Sequence, residues 1–131
     1  MTEFPMTMAA LLLALAIYLW SGLRVGGARG RFKVDAPATT GPPEFDRIYR
    51  AQMNTLEQIV LFVPLLLLAA VVWGDRWAAL FGLVWSLGRI LYIVTYARDA
   101  SKRTLGFVLS AGASAVVLIG LAVTLAIRAS A

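Results

Sequence analysis

Four long apolar runs divide the chain, and shorter polar stretches separate them. They predict transmembrane helices over about residues 6–24, 45–73, 77–97 and 104–128, because about 20 apolar residues cross roughly 30 Å of hydrocarbon. The apolar part of the second run, Ile59–Trp73, is too short alone, so its helix must begin among the polar residues upstream. Pro64 predicts a kink that a bundle tolerates. The pattern predicts one all-α domain over residues 1–131, an integral membrane four-helix bundle.

The first run could instead be a cleaved signal peptide. Glu3 stands where such a peptide carries basic residues, and the run Met6–Leu23 is longer than its apolar core. A retained span is the favoured interpretation. Residues 24–44 predict a loop rich in Arg, Gly and Pro, residues 74–76 a tight turn, and residues 98–103 a short basic link. A face of small residues on the last run predicts close helix packing: Gly106, Ser110 and Ser114.

Composition supports this class, since 60% of the residues are hydrophobic and the mean hydropathy is +0.80. The net charge of +5 does not indicate nucleic-acid binding, because most basic residues fall in the first and third connections, as cytoplasmic loops do. We therefore expect these loops in the cytoplasm and both termini on the opposite side. The chain has no Cys and no His. This composition excludes disulfides, thiolate or imidazole metal sites and a protein thiol nucleophile, so no metal is predicted.

Polar side chains near the start of the second helix fall on one face. Arg47, Arg50, Asn54 and Glu57 follow at spacings of three, four and three, with Gln58 at the border. Arg47 is equally well explained as a flanking residue that reaches the membrane interface. The face as a whole predicts one wall of a polar site.

The third helix repeats the arrangement. Arg89, Tyr92 and Tyr96 lie three and four residues apart, and Asp99 and Arg103 continue the stripe if the helix extends past the membrane. A charge inside a span is costly unless it is paired. A structural salt bridge between Glu57 and Arg89 is one explanation. A positively biased pocket between the second and third helices explains more of the polar residues, and predicts a small anion with several carboxylates as its ligand.

The stretches PATTGPPEFDRIYRAQMNTLEQ and GRILYIVTYARDASKR resemble the membrane-associated proteins in eicosanoid and glutathione metabolism, the MAPEG family. Within it the likeness is to the branch of leukotriene C4 synthase and microsomal glutathione transferase 2. It covers nearly the whole chain, and the Arg-Ala-Gln-x-Asn-x-x-Glu core is its most specific part. The resemblance implies a homotrimer of four-helix subunits that binds glutathione between neighbouring subunits, near the cytoplasmic face.

The resemblance also implies roles for individual residues. The glutathione-holding positions correspond to Arg50, Asn54, Glu57, Gln58, Arg89, Tyr92 and Tyr96 in one subunit, and to Arg29 and Gln52 in its neighbour. Arg103 matches the catalytic arginine that holds glutathione as a thiolate. Two positions depart from the pattern. Gln58 replaces a tyrosine, and Gly30 replaces the second residue of an Arg-Arg pair, which argues against leukotriene synthesis specifically.

The implied function is a membrane-bound glutathione transferase with glutathione as co-substrate, acting on a lipophilic electrophile or a lipid hydroperoxide that enters from the membrane lipid. The acceptor is expected to bind between the first span of one subunit and the fourth span of its neighbour. The protein is expected in a bacterial cytoplasmic membrane. Two alternatives remain: a non-catalytic lipid-binding scaffold and a small transporter subunit. A transporter would need a trail of polar residues that continues to the outer face, and the first and fourth spans show no such trail.

Overall fold

The computed structural model describes residues 3–131 and contains four long helices: α1 (Pro5–Phe32), α2 (Pro43–Trp73), α3 (Asp75–Arg98) and α4 (Thr104–Ser130). A 3-10 turn, Ala100–Lys102, precedes α4. All four helices are long and apolar enough to cross a membrane. The predicted all-α four-helix architecture is confirmed.

The first helix is longer than predicted. We expected a loop from residue 24, but α1 continues to Phe32, and Lys33 follows it in the left-handed conformation with φ of 56°. Glycines in this stretch lower helix propensity without blocking the helix. Arg29 and Arg31 lie in the last turn, where cations interact favourably with the helix dipole. The basic residues expected in a loop are therefore held on a helix.

The pair α2 and α3 forms the centre of the bundle, because α3 packs against all three other helices while α1 and α4 lie on either side. Phe62 and Trp85 are both fully buried and stack at 4.1 Å between ring centres. Half of the apolar stretch of α3 is buried, but only 22% of the stretch in α4. The outer face of α4 is therefore left for lipid or another subunit.

The connection between α2 and α3 is the single residue Gly74, whose φ of +98° suits glycine. The next residue, Asp75, receives hydrogen bonds from the backbone N–H groups of Met6 and Thr7 at 3.0 and 2.7 Å. The Thr7 hydroxyl donates to the same carboxylate at 2.8 Å. A carboxylate at a helix N-terminus satisfies free N–H groups and complements the dipole. It ties α1 to α3 at the end of the bundle opposite the basic connections.

The predicted small-residue face on α4 is confirmed, since Gly106, Ser110 and Ser114 are all buried. The backbones of α3 and α4 come close together here. A Cβ placed on Gly106 would lie 2.7 Å from the carbonyl oxygen of Gly88 and 2.7 Å from Cα of Tyr92. Only glycine permits this approach, which fixes where Tyr92 stands.

Gly106→Ala is therefore expected to destabilise the protein by about 1–3 kcal/mol, the usual cost of overpacking. Gly112→Ala is the matched control on the same helix, because its added Cβ would meet nothing closer than a Val108 methyl at 3.9 Å. Thermal denaturation in detergent should show a lower midpoint for Gly106→Ala only. Equal midpoints for the two variants would contradict close packing of α3 on α4.

Candidate functional site

Three side chains in the first half of α2 form a polar wall: Arg50, Asn54 and Glu57. Arg50 and Glu57 make a salt bridge of 3.4 Å, with side chains 53% and 60% exposed. Such an open pair contributes little to stability. Both charges are therefore available to take new partners from a ligand.

Arg89 of α3 stands fully buried behind this wall. Its Nη1 and Nη2 atoms both donate to Oδ1 of Asn54 at 3.0 Å, and its guanidinium carbon lies 4.2 Å from the centre of the Tyr92 ring. Its Nε is buried without a hydrogen-bond partner. Among residues 3–131 no carboxylate forms a salt bridge with Arg89. The alternative of a Glu57–Arg89 salt bridge is contradicted, because Glu57 pairs with Arg50.

This burial makes Arg89 the most informative residue of the site. An ionised group in a membrane protein interior is costly, and such groups usually face a polar cavity or a partner. Here an amide oxygen and an aromatic ring lower that cost, but neither carries a countercharge. A guanidinium in this setting favours an anion as a further partner.

The loop after α3 brings Arg103 to the same face. α3 ends at Arg98 and Asp99 adopts an extended conformation, so Arg103 does not follow α3 on a continued helix. The carboxylate of Asp99 accepts hydrogen bonds from the backbone N–H and the hydroxyl of Ser101, at 2.9 and 2.8 Å. The backbone N–H bond, followed by the hydroxyl bond, lowers the pKa of Asp99.

This turn places Arg103 over α3. Its guanidinium carbon lies 5.5 Å from the centre of the Tyr96 ring, and the rings of Tyr96 and Tyr92 meet edge to face at 5.3 Å. Together with the contact between Tyr92 and Arg89, these contacts form a chain across the end of the bundle. It runs from the polar wall of α2 to the start of α4.

Two of the predicted residues lie elsewhere in the chain. Arg29 donates to the carbonyl oxygens of Ala38 and Val34 at 2.7 and 3.4 Å, and Gln52 packs beside Gly22 of α1. Neither joins the contacts around Arg89 within one subunit. Gln58 is half-buried, and its Oε1 has no hydrogen-bond partner.

Arg47 turns away from the wall and donates to the carbonyl oxygen of Ala97 at 3.2 Å. The polar wall is an open surface of the chain, because the side chains of Arg50 and Glu57 are both more than half exposed. An apolar groove of about 630 Å³, lined by Trp73, Trp77 and residues of α4, shares no residue with the wall.

Sequence reasoning missed two supports of the site. One is the turn made by Asp99 and Ser101, although Asp followed two residues later by Ser is a recognised turn signal. The other is Phe107 of α4, whose ring lies 6.3 Å from that of Tyr92. No local pattern in the sequence indicates this second contact, because it depends on how α4 packs.

The fold and this face are those of a helical membrane protein: it has four membrane-length helices, with a polar, positively charged face at the basic end. The chain belongs to the MAPEG family, whose family model matches residues 7–123. It is therefore a multi-pass membrane protein, as the apolar runs predicted.

Curated relatives match along most of the chain. An uncharacterized protein of Synechocystis is 43% identical over 122 residues, which cover 92% of this chain and 89% of the relative. Leukotriene C4 synthase of Bos taurus is 42% identical over 101 residues, or 77% and 67% of the two chains. Microsomal glutathione S-transferase 2 of Homo sapiens is 43% identical over 95 residues, or 72% and 65%. The family and the branch inferred from the motifs are confirmed.

Proposed function

We propose that this protein is a membrane-bound glutathione transferase that conjugates glutathione to lipophilic electrophiles. The observation that carries the proposal is the fully buried Arg89, held by an amide oxygen and a ring but by no carboxylate of residues 3–131. Family membership and the names of two relatives, a leukotriene C4 synthase and a glutathione transferase, support the same reaction class.

The charges of the wall suit glutathione as a substrate. Glutathione has two carboxylates and one amine, and guanidinium groups pair with carboxylates through paired hydrogen bonds. Arg50 would take one carboxylate and Glu57 the amine once their exposed pair opens. Arg89, which is fully buried, would take the other carboxylate once the Asn54 side chain turns aside. Gln58, whose Oε1 has no partner, adds an acceptor beside Glu57.

Arg103 would hold the sulfur as a thiolate. A thiol has a pKa of about 8.5 and reacts as the thiolate, while a guanidinium remains charged and can donate hydrogen bonds to sulfur. The thiol proton leaves to solvent, sulfur forms a bond to the electrophilic carbon, and the leaving group departs with its electron pair. A lipophilic acceptor would reach the sulfur from the bilayer, between α1 of one subunit and the exposed apolar face of α4 in the next.

A homotrimer completes the proposed site, with Arg29 and Gln52 supplied by the neighbouring subunit. Within their own subunit both residues have contacts other than Arg89, which is compatible with a role in a neighbour's site. We place the basic connections in the cytoplasm, consistent with the distribution of Arg and Lys.

Mixed oligomers test this arrangement. If each site takes Arg103 from one subunit and Arg29 from the next, co-assembly of Arg29→Ala and Arg103→Ala chains in equal amounts should restore about a quarter of the sites, half of a half. Conjugation by the whole assembled mixture, with the homotrimers of each variant included, measures the restoration. If both residues serve the same subunit's site, every site keeps one lesion and the mixture stays as inactive as the separate variants.

Conjugation itself is tested with the full chain in liposomes, using glutathione and a lipophilic aryl halide, with the product measured by mass spectrometry. We expect protein-dependent conjugate, and a smaller rate gain with a water-soluble aryl halide of equal reactivity. A rate equal to that of protein-free liposomes would refute the transferase. Retained lipid without conjugate would identify a scaffold, and glutathione flux without conjugate would identify a transporter.

A further inference from the structure

A second basic cleft lies at the same end of the bundle, between α1, α2 and α3. Its volume is about 400 Å³, and the charged groups that line it are Arg24, Arg31, Glu44, Arg47 and Arg98. None of the residues of the polar wall lines it. The cleft is therefore separate from the proposed glutathione site.

The positive charges of this cleft are only partly compensated. Arg31 pairs with Glu44 at 3.2 Å, and the Nε of Arg47 is fixed by the carbonyl oxygen of Ala97. Arg24 is held against the Trp20 ring, 5.3 Å from its centre, and its Nε is buried with no hydrogen-bond partner. Four guanidinium groups thus share one cleft with a single carboxylate.

Cations gathered in this way repel one another and create a positive potential that attracts an anion. Guanidinium groups match phosphate oxygens in both charge and geometry. The rest of the lining is aliphatic, from Ile48, Val94 and Ala97. A ligand with a phosphate group and an apolar remainder meets both parts of this surface.

The position of the cleft indicates the source of such a ligand. It lies where Arg98 ends α3 and where α2 has just begun, so it stands at the boundary of the membrane-length segments. Basic pockets between transmembrane helices at this level bind anionic lipid head groups. Arg24 and Arg31 lie two turns apart on α1, on the side opposite Arg29 by helical periodicity. They stay accessible to lipid if Arg29 faces a neighbouring subunit.

We propose that this cleft binds a phosphate group, presented by an anionic phospholipid at the membrane surface. The inference does not depend on the glutathione activity. Binding would fix the basic ends of α1, α2 and α3 relative to one another through one shared anion.

The test is thermal denaturation of the detergent-solubilised full chain, titrated with phosphatidylglycerol, with phosphatidylcholine or with inorganic phosphate. We expect phosphatidylglycerol to raise the midpoint and phosphatidylcholine to raise it less. Arg24→Gln/Arg31→Gln should weaken the apparent affinity for phosphatidylglycerol by at least about tenfold. Arg76→Gln/Arg128→Gln, the same charge change at the other end of the bundle, should not.

Arg98→Gln provides a second variant in case the double variant folds poorly, because the Arg98 side chain is exposed and makes no hydrogen bond or salt bridge with the described residues. It should keep the lipid-free midpoint and lose affinity severalfold. Competition by inorganic phosphate would support a site for any phosphate group, and its failure to compete would support a head-group site. Equal affinity for the two lipids, or unchanged affinity in both the Arg24→Gln/Arg31→Gln and Arg98→Gln variants, would overturn the proposal.

Discussion

Arg89→Met is expected to leave the thermal stability unchanged or higher while weakening glutathione binding by roughly 10- to 100-fold. Methionine fills similar space without the cost of burying a charge, and replacing buried ionic groups with apolar ones of similar volume is often neutral or stabilising. The lost charge-assisted hydrogen bonds are worth about 1.5–3 kcal/mol, which gives the expected fall in affinity. Thermal denaturation and calorimetric titration with glutathione measure the two effects separately.

Asn54→Leu is the companion variant. It removes the acceptor of both Arg89 hydrogen bonds but leaves the guanidinium buried, so it should destabilise the protein by about 3 kcal/mol or more. The double variant Arg89→Met/Asn54→Leu should recover most of that loss. If Arg89→Met instead lowers stability and keeps glutathione affinity, Arg89 is structural and the proposed site is wrong.

Arg103→Ala is expected to move the acid limb of the pH–rate profile for conjugation upward by about two pH units. A thiol pKa lowered by two units requires about 2.7 kcal/mol of differential stabilisation, and Arg103 is the residue proposed to supply it. Near neutral pH the rate should fall by roughly twentyfold, as the thiolate fraction returns to that of a free thiol. Glutathione affinity should change much less, because the carboxylates and the amine keep their partners.

Lys102→Ala controls for this variant, since Lys102 is a basic residue in the same exposed turn. It removes the same charge one residue away and should leave the profile in place. An unchanged profile for Arg103→Ala, or an equal shift for both variants, would contradict a specific role of Arg103 at the sulfur.

The apolar runs were sufficient to predict the fold. Four membrane-length helices follow from the length of the runs, and a closely packed face on α4 follows from Gly106, Ser110 and Ser114, although the pattern does not say that α3 is its partner. The end of α1 was missed because glycine and arginine are typical of loops and also compatible with the last turns of a helix. Arg103 lies beside Tyr96 on the predicted face, but a turn set by Asp99 and Ser101 brings it there, and not a continued helix.

The candidate site was partly predictable, because helical spacing gives the residues that share a face but not their partners on other helices. Helical spacing predicted that Arg50, Asn54 and Glu57 share a face, and the structure has them so placed. Spacing cannot decide which partner a buried charge takes. Arg89 pairs with Asn54 and not with Glu57 because of how far α2 and α3 are shifted relative to each other along their axes. Core packing around Phe62 and Trp85 sets that shift.

The property that defines the proposed site is that it binds glutathione and holds the sulfur as a thiolate. The most direct measurement is the ultraviolet thiolate absorbance of the wild-type protein on rapid mixing with glutathione, at a pH well below the pKa of about 8.5 of a free thiol. We expect an absorbance rise that saturates with glutathione, and none with S-methylglutathione, which can fill the site but cannot ionise. Saturable glutathione binding with no thiolate absorbance would contradict this expectation.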